Sequence, residues 1–155
     1  MTVKYLISAC LVGENVRYNG GNCLQEKLKY LIESHQAISF CPEVAGGLST
    51  PRLPAEIVGG QAQDVFNQQA VVLDSSGQDV TQAFINGAYQ TLKMVQQNHI
   101  SHVILKADSP SCGSKLIYDG SFTGKKIPGE GMTAILLRQH GIIVMTEDEF
   151  MEQLN

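Results

Sequence analysis

Short apolar runs separated by longer stretches of helical periodicity recur along the whole chain. The runs at 5–10 (Tyr5-Leu6-Ile7-Ser8-Ala9-Cys10), 37–40, 70–73, 101–106 and 142–145 have strand length and are largely apolar on both faces, which predicts strands covered from both sides. Between them, Leu24, Leu28, Leu31 and Ile32 share one face of a helix expected over 24–34. Phe84, Ala88, Leu92 and Val95 form the stripe of a longer helix over 80–97, with Asp79 as its N-cap. A short helical segment is expected at 63–68 and a helix at 132–140, and Thr146-Glu147-Asp148-Glu149 has the spacing of a capping box that opens a last helix. The stretches 42–60 and 107–131 are rich in Gly and Pro and read as irregular, the second with a small hairpin through 116–122. Strands alternating with helices define the expected fold class: α/β, a three-layer Rossmann-like sandwich around a mostly parallel sheet. The pattern sets no strand order.

Composition narrows this picture. A chain of 155 residues with 43% hydrophobic content can bury one core and is too short for two, so a single domain over 1–155 is expected. A net charge of -4 without a run of Lys or Arg argues against a nucleic-acid polymer or an anionic membrane as partner, and leaves a small molecule. No apolar stretch approaches the roughly 20 residues that span a bilayer. Met1-Thr2-Val3-Lys4 leads directly into a strand without a cleavage pattern, so a cytoplasmic location is expected. In that reducing compartment cysteines serve as core residues, metal ligands or reactive thiols more often than as disulfides.

Three of the four cysteines stand out by position. Cys10 and Cys41 fall at or just past the ends of predicted strands, and Cys112 follows the strand at 101–106. Carboxyl ends of parallel strands lie on one sheet edge, where ligands bind, so the three thiols are expected to meet there. Such a trio suits a soft metal or an iron-sulfur cluster, and three ligands in place of four leave one position for substrate. A lone buried cysteine is more often a small apolar residue. The rival for all three is a structural zinc site completed by His35, His99, His102 or His140, none of which lies at close ligand spacing to a cysteine. The close-spaced ferredoxin pattern is absent as well.

Six blocks then carry a resemblance: Ser8-Ala9-Cys10-Leu11-Val12-Gly13, Arg17-Tyr18-Asn19-Gly20-Gly21-Asn22, Cys41-Pro42-Glu43-Val44-Ala45-Gly46-Gly47-Leu48, Thr50-Pro51-Arg52-Leu53-Pro54-Ala55-Glu56, Ser109-Pro110-Ser111-Cys112-Gly113 and Pro128-Gly129-Glu130-Gly131-Met132-Thr133-Ala134. In this order they resemble the signature blocks of a bacterial family, long catalogued as a domain of unknown function, that includes the thiouracil desulfidases. The resemblance implies that Cys10, Cys41 and Cys112 hold a four-iron four-sulfur cluster whose fourth iron is free of protein. It implies a thiolated pyrimidine, base or nucleotide, as substrate and desulfidation without net electron transfer as the reaction. Glu43 matches the family's acid and base, and Ser109 or Ser111 its serine, as proton relay or substrate orienter. Cys23, near a helix start, is given no role and reads as a non-ligand. The alternative is a non-catalytic iron-sulfur or zinc-containing nucleotide-binding domain.

Substrate contacts are the last expectation. Gly129, Gly131 and Thr133 open the helix at 132–140, and their backbone N–H groups could receive an anion such as a nucleotide phosphate. Arg17 and Arg52, in Gly-rich and Pro-rich loops, would add charge. Glu56, Lys106 and Asp108 lie in the same neighbourhood, where Glu56 could equally hold Arg52 or a backbone amide in place.

Overall fold

The computed structural model describes residues 4–21 and 25–153. Four strands, β1 (Tyr5–Ser8), β2 (Ala37–Phe40), β5 (His102–Leu105) and β8 (Ile143–Thr146), form one wholly parallel sheet in the order β2-β1-β5-β8. Successive side chains of a strand point to opposite faces. Leu6, Val103, Leu105 and Val144 therefore enter one core, and Ile7, Ile104 and Met145 the other. The first core is covered by α4 (Thr81–Gln97) and α5 (Met132–Gln139), with the short α3 (Ala62–Phe66) beside them. The second is covered by α1 (Glu26–Glu33) and α6 (Glu147–Gln153), through Leu28 and Phe150. Helix, sheet and helix make the three expected layers.

The helical stripe of α4 is as predicted: Phe84, Ala88, Leu92 and Val95 are all buried. Asp79 caps it from one residue further out than expected, its Oδ1 accepting the Thr81 N–H at 2.8 Å. At α6 the capping box closes in both directions, with Thr146 N–H to Glu149 Oε1 and Glu149 N–H to Thr146 Oγ1 both at 3.0 Å. The predicted start of the first helix, together with Cys23, lies outside the described residues.

Three local expectations need correction. The strand expected at 5–10 stops at Ser8, and Ala9–Val12 turn into a 3-10 segment closed by Gly13 at φ +96°. The stretch 42–60, read as irregular, contains α2 (Pro42–Ala45) and β3 (Ala55–Val58). Proline at the first helical position starts α2, and β3 is held by antiparallel pairing to β4 (Val71–Asp74), a long-range partner that no local pattern reveals. The hairpin expected through 116–122 is wider: β6 (Leu116–Tyr118) pairs with β7 (Lys126–Pro128). Both antiparallel pairs stand outside the main sheet.

Candidate functional site

Strand order creates the site. The chain goes from β1 to β2 on one side, whereas β5 and β8 lie on the other, so the sheet's switch point falls between β1 and β5. Crevices beyond the carboxyl ends at such a point receive ligands. Here a cavity of about 250 Å³ is lined by Cys10 after β1, Cys41 and Glu43 after β2, and Lys106, Ser109 and Cys112 after β5. The expected meeting of three thiols at one edge is what the structure brings together.

Each thiol is held differently. Cys10 is buried on the 3-10 segment, and Cys41 is the N-cap residue of α2. Cys112 sits in a tight turn in which Ser109 Oγ accepts the Cys112 N–H at 2.6 Å and the Gly113 N–H reaches Ser109 O at 2.9 Å. Ser8, at the end of β1, accepts the Lys106 N–H at 3.0 Å and donates its hydroxyl to Cys112 Sγ at 3.6 Å, tying β1, β5 and the Cys112 loop together. Its role was missed in the sequence. The only signal there was a polar residue inside an otherwise apolar strand.

Burial pushes the Cys112 thiol strongly up, and Glu43, Cys41 and Cys10 push it further as neighbouring negative charges. Burial raises Cys41 too, against N–H groups of Val44 and Glu43 and the charge of Arg52. None of the three thiols is in a disulfide. Among the described residues no three His, Cys, Asp or Glu side chains converge closely enough to hold a single metal ion. The thiols therefore surround a space instead of gripping one point, and His35, His99, His102 and His140 all lie away from its lining. Soft sulfur donors from three separate loops around one space, with a hydroxyl bonded to one sulfur, are a donor set that fits an iron-sulfur cluster.

Glu43 projects from the first turn of α2 and is 17% exposed; Arg52, its partner, is 9% exposed. Arg52 Nε and Nη2 both donate to Glu43 Oε1, at 3.2 and 3.1 Å. Burial raises the Glu43 carboxyl, and Arg52 opposes the shift by charge and hydrogen bond. Two other lining cations or anions are likewise paired: Lys106 with Glu147 at 3.7 Å, and Asp108 with Lys126 at 2.7 Å. Glu56 accepts the Gly120 and Phe122 N–H groups at 2.9 and 3.3 Å, which anchors the β6–β7 hairpin against β3. Arg17 lines the cavity with its guanidinium carbon 5.7 Å from the Tyr18 ring centre, and it meets no carboxylate among the described residues.

The remaining expected residues lie elsewhere. Ser111 is buried behind the cavity wall, its hydroxyl 2.8 Å from that of Thr133. The N–H groups at the start of α5 are already used: Gly131 donates to Gly113 O at 2.6 Å, Met132 to Pro110 O at 2.7 Å and Thr133 to Ser111 O at 2.9 Å. Gly129, Gly131 and Thr133 do not line the cavity. This helix start clasps the loop that carries Cys112, and a Cβ on Gly131 would collide with the Ser111 carbonyl.

Fold and site together define a parallel α/β protein with a thiol-lined small-molecule cavity at its switch point. The chain belongs to the 2-thiouracil desulfurase family, whose model matches residues 5–149. It is 48% identical to the YbbK protein of Bacillus subtilis (strain 168) over 149 residues, 96% of this chain and 99% of that one. Its structure is similar to that of TudS, a [4Fe-4S]-dependent thiouracil desulfidase, with a TM-score of 0.85 and 44% identity over 97% of this chain and 95% of the other.

Proposed function

We propose that this protein is a [4Fe-4S]-dependent thiouracil desulfidase. The observation that carries this reading is that Cys10, Cys41, Cys112 and Glu43 line one cavity in a chain so similar in length, fold and sequence to such an enzyme. Cys10, Cys41 and Cys112 would hold the cluster as thiolates, and bound there it would supply a Lewis acid for the thiocarbonyl sulfur of the substrate. Binding requires the thiols to lose their protons, so assembly couples to proton release from Cys10, Cys41 and Cys112.

The reaction exchanges C=S for C=O: thiouracil and water give uracil and hydrogen sulfide, with no change in electron count. Glu43 takes a proton from the attacking water as the C–O bond forms and returns it as the C–S bond breaks. A carboxyl raised by burial is suited to holding that proton in passing. Ser109 lines the same cavity and already accepts N–H groups from Ser111 and Cys112, which leaves its O–H to donate to the substrate. Arg17 is the lining cation available to a substrate phosphate, should the substrate be a nucleotide. Three thiols outside any disulfide fit a reducing cytoplasmic setting. Among the described residues no helix is long and apolar enough to cross a membrane.

Anaerobic reconstitution with iron and sulfide, followed by a sulfide-release assay on 2-thiouracil, tests the reading. A brown protein that releases sulfide stoichiometrically with uracil is expected. A colourless protein holding zinc, or a loaded protein without turnover, would establish the non-catalytic alternative. Cys10→Ser, Cys41→Ser and Cys112→Ser should each lose most of the iron, whereas Cys23→Ser should retain it. In the fully loaded Glu43→Gln variant turnover should fall by roughly a hundredfold or more, the scale of general acid-base catalysis.

A further inference from the structure

We infer that Arg52 is a positioning residue for Glu43: it pins one carboxylate oxygen and so aims the other at the reacting atoms. The inference rests on the reading of Glu43 as the proton carrier. Arginine offers five N–H donors in a rigid fork. Two of them converge on Glu43 Oε1, and two from Nη1 reach Ser49 O and Thr50 Oγ1, both at 3.1 Å. The backbone of Arg52 is fixed as well, its N–H donating to Tyr18 O at 2.5 Å. With four donors committed inside the protein, the guanidinium has little left for a substrate anion. Its role in the site is set by what it grips.

Glu43 needs that grip. It follows Cys41 at the start of the four-residue α2, too short a helix to hold its own side chains rigidly. Oε2 accepts no hydrogen bond from the described residues, so Oε1 is the tethered atom and Oε2 the one free to exchange a proton. A lysine at position 52 would keep the charge and lose the fork that fixes the carboxylate plane. Misplacing a reacting group by about an ångström costs up to a hundredfold in rate.

The test uses the reconstituted holoenzyme and three measurements: iron per chain, the dissociation constant of the product uracil, and kcat and KM for 2-thiouracil. Arg52→Ala should keep its iron and bind uracil within about twofold of the parent, while kcat falls about ten- to a hundredfold with KM little changed. Added guanidinium ion should restore part of that kcat, and Arg52→Lys should lie between. In the cycle with Glu43→Gln, the double variant should be no slower than Glu43→Gln alone. A raised KM and weakened uracil binding with kcat retained would make Arg52 a substrate ligand and overturn the inference. Loss of iron in Arg52→Lys, or effects that multiply with those of Glu43→Gln, would overturn it in favour of a purely structural role. Full turnover in Glu43→Gln removes the proton-carrier reading itself and the inference with it. Full turnover in Arg52→Ala beside a slow Glu43→Gln removes the inference alone.

Discussion

At the scale of single residues, two serines two positions apart illustrate how context divides similar chemistry. Ser109 and Ser111 flank Pro110 in one short block, and residue type alone does not separate them. Ser109 faces the cavity and caps the Cys112 turn, whereas Ser111 turns inward to the Thr133 hydroxyl. Ser109→Ala is therefore expected to lower turnover by about tenfold or more per loaded site, read by sulfide release against iron content. Ser111→Ala should appear chiefly in stability. It strands the buried Thr133 hydroxyl, at a cost of about 1–3 kcal/mol in urea unfolding, and the double variant Ser111→Ala/Thr133→Val should regain most of it because both partners are then apolar.

Among elements, the contact of α2 with α4 decides where Cys41 and Glu43 stand. Gly46, closing α2, and Gly87, on α4, let the two backbones touch: a Cβ on Gly87 would overlap the Pro42 carbonyl, and one on Gly46 would overlap that of Ala83. Gly87→Ala must therefore push α2 away from the sheet edge. The expected outcome is a stability loss of about 1–3 kcal/mol by urea unfolding, typical of overpacking, together with less iron per chain after reconstitution. Gln90→Ala, on the exposed side of the same helix, serves as the control and should change neither. A parent-like iron content in Gly87→Ala would show that α2 absorbs the displacement without moving Cys41. Helix α5 acts on the third thiol in the same manner, since its first N–H groups hold the Pro110–Gly113 carbonyls in place.

For the molecule as a whole, acid is the expected route to unfolding. Asp74, Asp79 and Asp119 are held below the ordinary aspartate value of 3.8 chiefly by hydroxyls of Ser76, Thr81 and Ser121 respectively, and Glu149 below 4.5 chiefly by the Thr146 N–H. Folded values below unfolded ones mean that the unfolded chain binds more protons in this range. The stabilisation is complete above the unfolded values and is lost as pH falls through the folded ones, so urea midpoints should be level near neutrality and drop below about pH 4.5. Glu149→Gln should flatten part of that drop while keeping the capping box, since the glutamine amide oxygen can still accept the Thr146 N–H. The same capping box was legible in the sequence, as were the α4 stripe, the two-faced strands and the three cysteines at or beyond strand ends, because each follows from spacing within one turn, one strand or one βα unit. Other features were not legible. The order β2-β1-β5-β8, the antiparallel partner that makes 55–58 a strand, the turning of Arg52 onto Glu43 and the use of the α5 N–H groups by the Cys112 loop all depend on pairs that no single turn or strand contains. The sequence by itself determined the layers, the elements that build them and the types of reactive group. Only the tertiary structure decided which of those groups share a cavity and which are consumed by one another, because each polar group's free energy depends on the partner and the water it meets after the chain has closed around it.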